Sequence, residues 1–213
     1  MPDPAAPSRL ERLIDALKQF YGLLPSPPSD AFQLFVWETL AYQSTPGQRN
    51  SAFNALKRNR SLTPDSMEKI APKKLHESVV MTGSYLEQRT RALKTAIRVF
   101  QQNPDIHGAI GRELPIAYEA IGLLPQTGPE GIGERMLLYV GGHKTFPQDS
   151  GVGRVIRRLG YDEPPESELP ESIDAWRRAC TYLTHHAAAT CTDKDPHCHV
   201  CPLRPDCPYG EDH

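Results

Sequence analysis

The sequence lacks a long apolar run and an excess of positive charge. No segment approaches the ~20 consecutive apolar residues that a membrane helix needs, and the first residues carry no apolar stretch behind a basic one, as a secretion signal would. The formal net charge of −2 at pH 7 gives no whole-protein sign of polyanion binding, so any such site must be local. We therefore expect a cytoplasmic protein with no membrane partner.

The sequence also has no internal repeat, no low-complexity segment and no sustained period-two alternation that would predict a strand. Apolar residues instead recur at helical spacing. The first such run follows Ser8, which has capping-box spacing to Glu11, and continues to Gly22. Later runs predict helices over 86–101 and 134–140. With 213 residues and 38% hydrophobic content, the chain can bury a core, and we predict an all-α fold of short helices.

Cysteine is scarce outside one cluster near the C terminus. Four of the five cysteines follow the spacing C-x6-C-x2-C-x5-C within seventeen residues. The tail that holds them has too few apolar residues to fold alone, and a metal bound by thiolates can order such a loop. The spacing favours an iron–sulfur cluster; zinc is the alternative, although zinc sites usually pair two C-x2-C units. Disulfides fit poorly without a secretion signal. The predicted ligands are Cys191, Cys198, Cys201 and Cys207.

Three residues near this cluster are not predicted to be ligands. Cys180 lies in a helical pattern and is expected to be a buried structural cysteine. His197 and His199 flank the second cysteine of the cluster and are expected to be loop histidines that face solvent. The ligand set is therefore predicted to be thiolate alone.

The cysteine spacing resembles that of endonuclease III and MutY-like proteins, and three further segments extend the resemblance. Residues 131–142 resemble the second half of the family's helix-hairpin-helix. Residues 146–160 resemble the segment that bears its essential aspartate, and residues 34–45 resemble the helix that ends in a base-pocket glutamine. The similarity covers about residues 28–208. It implies a DNA glycosylase of the helix-hairpin-helix superfamily with a [4Fe-4S] cluster.

The resemblance also implies an architecture and a partner. It predicts a six-helix barrel with the helix-hairpin-helix over 29–145, and an iron–sulfur domain made from 1–28 and 146–213, with a DNA cleft between the two. The expected partner is double-stranded DNA that contains a damaged or mismatched base, bound by a monomer. A cytoplasmic, nucleoid-associated location would follow.

Two carboxylates match catalytic positions of the family. Asp149 matches the essential aspartate, because cleavage of an N-glycosidic bond builds positive charge on the sugar that a carboxylate stabilises. Taken without the resemblance, an aspartate before a glycine-containing turn is interpreted as an N-cap; the resemblance favours the catalytic role for Asp149. Glu38 stands five residues before Gln43, the offset of the acid that protonates the departing purine in MutY-like enzymes. The apolar neighbours Phe35 and Trp37 would help such an acid keep its proton; an exposed helix face is the alternative for Glu38.

Arg135 occupies the position at which bifunctional members of the family carry a catalytic lysine. Arginine is essentially never deprotonated in proteins and cannot form the Schiff base that strand cleavage requires. We therefore expect a monofunctional glycosylase in which Arg135 binds phosphate. One alternative is a bifunctional glycosylase/AP lyase that uses another amine, for which Lys144 is the candidate although we expect it to be solvent-exposed. The other is a non-catalytic DNA-binding iron–sulfur protein.

The hairpin is predicted to bind DNA phosphate through its backbone. Gly131 and Gly133 allow close approach of the chain, and the helix that begins at about Glu134 directs its free amides at the anion. The hairpin has five extra residues between Leu124-Pro125 and the first glycine, compared with the compact form of the family. The loop glycines are nevertheless present.

Further DNA contacts are predicted on both sides of the hairpin. Gln43 is expected to enter the gap left by the flipped base, and Ser84, Tyr85 and Leu86 match the position of the family's wedge. In the helix after the predicted catalytic aspartate, at least one of three arginines is expected to face phosphate, with Arg154 the first choice: Arg154, Arg157 and Arg158.

Overall fold

The computed structural model of the chain describes most of its residues, and every regular element in them is helical. The all-α prediction is therefore confirmed. None of these helices is both long enough and apolar enough to cross a membrane. The described residues are 6–42, 44–58, 62–126 and 131–211.

The chain divides into two compact units. One is Pro27–Thr145, and the other combines the described parts of Met1–Ser26 and Phe146–His213. The helices of the Pro27–Thr145 unit are α2 (Ala31–Ala41), α3 (Pro46–Arg58), α4 (Pro64–Glu68), α5 (Pro72–Val80), α6 (Leu86–Gln102), α7 (Ile106–Ile110), α8 (Leu114–Gly122) and α9 (Ile132–Met136), which continues into a π-helical turn at Leu137–Gly141.

Helix α2 is the central element of the Pro27–Thr145 unit. Its sequence is apolar on nearly all sides, which is typical of a helix that is buried all round, and only Gln33, Glu38 and Ala41 in it are incompletely buried. It packs against α3, α6, α7 and α9. The Asp30 side chain caps its first turn by accepting a hydrogen bond from the Gln33 backbone N–H at 2.9 Å. Because α2 is buried in this way, the carboxylate of Glu38 is held inside the unit.

Helix α6 forms where the sequence predicts it and carries an apolar stripe. Ala92, Leu93, Ala96, Ile97 and Phe100 are all buried. The Phe100 ring meets Phe32 of α2 edge to face with centroids 5.2 Å apart. The helix begins directly after the Ser84–Tyr85 segment. The packing of α6 on α2 therefore fixes the point at which that segment joins the helix.

The second unit is built on three longer helices and a short one. They are α1 (Arg9–Tyr21), α10 (Ser150–Arg158), α11 (Ile173–Ala189) and α12 (Pro208–Glu211), with 3-10 turns at Glu166–Glu168, Cys198–Val200 and Arg204–Asp206. Helix α11 packs against both α1 and α10. The cysteine-rich tail follows α11 directly.

The predicted capping box of α1 is present. The Glu11 backbone N–H donates to Ser8 Oγ at 3.1 Å, and the Ser8 backbone N–H donates to Glu11 Oε2 at 2.9 Å. Gly22 ends the helix with φ of 69°, a conformation that favours glycine. Arg9, on the first turn, donates to the carbonyl oxygens of Leu159 and Asp206 at 2.8 and 2.7 Å. The N-terminal segment is thus tied to the cysteine-rich tail.

Gly141 marks a close approach of two backbone segments. A Cβ added there would lie 2.5 Å from the Ile110 carbonyl oxygen and 2.6 Å from His143 Cδ2, and His143 Nε2 itself hydrogen-bonds to that carbonyl at 2.9 Å. We expect Gly141→Ala to lower the free energy of unfolding by about 1–3 kcal/mol, because neither neighbour yields cheaply. Urea denaturation measures the loss. Gly47→Ala, in α3 with nothing within 4 Å, is the control, and an equal loss in both variants would contradict the assignment.

Candidate functional site

The four clustered cysteines line a single pocket of about 360 Å³ in the second unit. All four are free thiols. Apolar side chains of α10 and of the tail, including Val155, Leu159 and Leu203, complete the wall. Among the described residues, no three His, Cys, Asp or Glu side chains are placed to hold a single metal ion. The cysteines therefore surround a space rather than converge on a point.

Polar groups contact the sulfur atoms of this pocket. Arg158 Nη1 donates to Cys191 Sγ at 3.2 Å, and the Cys207 thiol donates to the Arg158 carbonyl oxygen at 3.3 Å. The Arg158 guanidinium also lies over the Tyr209 ring, 4.2 Å from its centroid. One cation therefore lies directly against the sulfur of Cys191.

Burial raises the pKa of Cys201 to about 11, and neighbouring thiols add to the rise. Burial raises the pKa of Cys207 as well. The other three cysteines of the pocket thus oppose the ionisation of Cys201. This donor set suits a metal group larger than one ion that binds all four as thiolates.

His186 is a buried neighbour of the pocket that the sequence analysis did not identify. Burial lowers its pKa to about 4, so the ring is neutral at pH 7. Its Nδ1 lies 2.8 Å from the Tyr21 hydroxyl, and its Nε2 lies 3.7 Å from Cys201 Sγ. In the tautomer in which Tyr21 donates to Nδ1, Nε2–H points at the sulfur. The sequence could have indicated this residue, because the histidine falls on the buried face of α11.

The Arg154 guanidinium is held by two hydrogen bonds within its own unit. Its Nε donates to the Cys191 carbonyl oxygen at 3.0 Å, and its Nη2 donates to that of Ala187 at 2.8 Å. These two bonds hold the end of α11 and the start of the cysteine loop. Of the three arginines on α10, Arg157 is the exposed one. Arg157 is therefore a candidate, beside Arg154, for a phosphate contact from this helix.

Asp149 is the N-cap of α10. Its Oδ1 accepts hydrogen bonds from the backbone N–H groups of Gly151 at 2.8 Å and Val152 at 3.0 Å. The residue is half-buried, and the two bonds hold its side chain in one orientation at the positive end of the helix. The structural role foreseen for Asp149 is therefore present, and it is compatible with a catalytic one.

Glu38 lies beside a guanidinium, in addition to the buried apolar neighbours that its sequence predicts. Its Oε2 is 3.6 Å from Arg135 Nε, and the two side chains are 10% and 6% exposed. Arg49 lies over the Trp37 ring at 4.1 Å; burial lowers the pKa of Arg49, and the charge of Glu38 partly offsets this. The pairing joins residues from two separate segments, which helical periodicity in one of them does not reveal.

Arg135 points into its unit instead of toward solvent. It is 5% exposed, and a phosphate contact would require its pair with Glu38 to open. Gly133 is buried and Gly131 half-buried, with Gly131 preceding α9; four of the five added hairpin residues, 127–130, lie outside the described part of the chain. Lys144 is exposed, as expected.

Ser84 and Tyr85 are exposed, as a DNA-contacting wedge requires. Gln43 lies outside the described residues. Arg89, which the sequence analysis did not identify, donates to the carbonyl oxygens of Tyr42 and Ser84. The sequence could have indicated Arg89, because it is an arginine on the otherwise apolar stripe of α6.

Comparison with curated proteins finds relatives that match parts of the chain. Protein ROS1A of Oryza sativa subsp. japonica is 31% identical over 32% of this chain and 5% of its own length. DNA glycosylase/AP lyase ROS1 of Arabidopsis thaliana is 30% identical over 30% of this chain and 6% of its own. The chloroplastic endonuclease III homolog 2 of Arabidopsis thaliana is 24% identical over 88% of this chain, which spans half of that protein. No model of a known protein family matches the chain.

Solved structures match nearly the whole chain. A trapped covalent intermediate of endonuclease III with DNA has a TM-score of 0.66 at 18% identity and covers 96% of both chains. A thermostable thymine-DNA glycosylase has a TM-score of 0.65 at 18% identity and covers 96% of this chain and 97% of its own. The protein therefore has the all-α fold that these two enzymes share.

Proposed function

We infer that this chain, which has the fold of the endonuclease III-like superfamily of DNA glycosylases, removes a damaged or mismatched base by hydrolysing its glycosidic bond. The observation that carries the proposal is the position of Asp149: the carboxylate that matches the family's essential aspartate caps α10 in a chain with this fold. The proposed partner is double-stranded DNA that contains such a base, bound by a monomer. A cytoplasmic, nucleoid-associated location is part of the proposal.

Asp149 would stabilise the cation that forms on the sugar as the base departs. A fixed negative charge acts without reorganisation at the moment of reaction, and such preorganised groups commonly contribute the largest share of catalysis. The two amide hydrogen bonds to Oδ1 supply that fixed orientation. A water molecule oriented by the same carboxylate would then attack the sugar carbon.

The buried pair of Arg135 and Glu38 supports hydrolysis without a Schiff base. The guanidinium keeps its proton and is paired inside the unit, so it offers the sugar no nucleophile. The name of one relative includes AP lyase activity, which favours the bifunctional alternative. For that reaction Lys144 is the exposed amine in the expected region.

A [4Fe-4S] cluster would be held by Cys191, Cys198, Cys201 and Cys207. Bound there, the cluster would supply structural order to the tail, and no step of base removal is assigned to it. The pocket of free thiols and the cation of Arg158 support this ligand set.

The strand-cleavage assay decides between the catalytic alternatives. On a panel of duplexes that carry single lesions and mismatches, we expect base release that gives strand breaks only after alkali, and no adduct trapped by borohydride. Lys144→Ala should leave base release unchanged. A trapped adduct that disappears in Lys144→Ala would establish the bifunctional reaction. DNA binding without base release on any duplex would instead favour a non-catalytic binder.

A further inference from the structure

Three polar side chains form a continuous hydrogen-bonded row beside the cysteine pocket. Thr190 Oγ1 lies 2.6 Å from the Tyr21 hydroxyl oxygen, and that hydroxyl oxygen lies 2.8 Å from His186 Nδ1. The row ends at Cys201, whose Sγ is 3.7 Å from His186 Nε2. His186 and Thr190 are 2% and 5% exposed. The row therefore runs through the interior of the second unit and reaches the sulfur of one predicted ligand.

Two helices hold this row in place. His186 lies on the last turn of α11, and Thr190 directly follows that helix. The His186 carbonyl oxygen accepts hydrogen bonds from the backbone N–H groups of Thr190 at 3.0 Å and Cys191 at 2.8 Å. Tyr21 is the last residue of α1, which packs against α11, and its ring meets His185 edge to face with centroids 4.6 Å apart. The packing of α1 on α11 therefore places the tyrosine hydroxyl against the histidine ring.

The hydrogens of the row can be arranged in two directions. Burial lowers the pKa of His186 to about 4, so the ring is neutral at pH 7 and carries a single N–H. If Nδ1 carries that hydrogen, Nε2 is an acceptor and needs the Cys201 thiol as its donor. If Nε2 carries it, Tyr21 donates to Nδ1 and Thr190 donates to the Tyr21 oxygen. A cysteine bound to a metal is a thiolate and has no hydrogen to donate. Only the second direction therefore satisfies every group once Cys201 is a ligand.

We propose that Tyr21 fixes the tautomer of His186, so that His186 Nε2 donates a hydrogen bond to the Cys201 sulfur and raises the reduction potential of the bound [4Fe-4S] cluster. The inference rests on the ligand set proposed above. Hydrogen bonds to the ligand sulfurs are among the factors that set such potentials. A donor hydrogen stabilises the more reduced state, because reduction adds negative charge to the sulfurs, and its effect is larger in a buried setting than in water. Tyr21 is thus a positioning residue that acts through His186.

Protein-film voltammetry of the purified, iron-loaded full chain tests the proposal, with the iron content of each sample measured beside it. In His186→Leu, which fills the space without a donor, we expect the potential to shift to a more negative value than in the wild type. His186→Gln provides an amide N–H in place of Nε2–H and should recover most of that shift. A ring that only filled space would be missed equally in both variants.

Tyr21→Phe tests the positioning role. It keeps the ring beside His185 but removes the hydroxyl that donates to His186 Nδ1, so the potential should shift in the same direction as in His186→Leu and by a smaller amount. Tyr182→Phe is the matched control. Tyr182 also lies on α11 and is buried, and its hydroxyl donates to the Gly22 carbonyl oxygen at 2.8 Å. Loss of that hydroxyl should leave the potential unchanged.

The outcomes separate this inference from the proposals on which it rests. Equal shifts in His186→Leu and His186→Gln, or equal shifts in Tyr21→Phe and Tyr182→Phe, would overturn it, and the iron content would leave the ligand set standing. A wild-type potential in Tyr21→Phe would overturn it as well. Should His186→Leu fail to hold iron, Tyr21→Phe measured against Tyr182→Phe still decides. A wild type that holds zinc and no iron would overturn both the ligand set and this inference, while base release is tested independently by strand cleavage.

Discussion

Asp149→Asn is expected to lower single-turnover base release by about 10²–10³, the usual cost of losing one preorganised electrostatic group. The amide oxygen can still accept the hydrogen bonds from Gly151 and Val152, so the cap of α10 and its fold should survive. DNA binding should stay intact or tighten, because the substitution removes a negative charge near a polyanion. Rapid-quench measurement on a duplex that the wild type processes gives the rate directly.

Two further variants separate charge from capping. Asp149→Ala removes both, and should add a stability loss of about 1 kcal/mol to the catalytic defect. Asp30→Asn changes a cap of the same kind at the start of α2 and should leave base release unchanged. Full single-turnover activity in Asp149→Asn would refute the assigned site. The similarity to endonuclease III would then concern the fold alone.

Cys201→Ala is expected to abolish metal binding by the tail and to lower thermal stability strongly, because the binding free energy of a structural metal is also folding free energy. The wild type should be brown and contain about four iron atoms per chain, with matching acid-labile sulfide. Elemental analysis and visible absorption of the purified protein provide the measurement. The buried thiol of Cys180 is absent from the lining of the pocket.

Cys180→Ala is accordingly the matched control. It removes a fully buried sulfur from α11 and should keep the iron content of the wild type, with only the modest stability loss of a truncated core side chain. Stoichiometric zinc without iron in the wild type would reject the cluster. So would equal iron contents in Cys201→Ala and in the wild type.

The helices of this protein could be predicted from its sequence because their signals are local. The box of Ser8 and Glu11 and the stop at Gly22 lie within one run of residues, and the apolar stripe of α6 repeats at a fixed spacing. The four cysteines were equally visible, since their spacing is short. Each of these features depends on residues that are neighbours along the chain.

The charged side chains could not be placed in the same way. Arg154 looks like a surface cation until the carbonyl oxygens of Ala187 and Cys191 are brought to it by the packing of α10 on α11. Glu38 looks like an acid in apolar surroundings until Arg135, nearly a hundred positions away in the sequence, is placed beside it. A guanidinium reaches partners that only the tertiary fold supplies, so charge patterns in the sequence predict the presence of a cation but not its contacts.

Helix α10 has two structural roles within about 13 Å of helix length. The backbone of its first turn orients the Asp149 carboxylate. Arg154 and Arg158, on its later turns, bind the loop that starts at Cys191 through hydrogen bonds. The orientation of the carboxylate and the position of the loop are therefore coupled through one short helix. A substitution that displaces the loop at Cys191 should therefore also disturb the orientation of the Asp149 carboxylate.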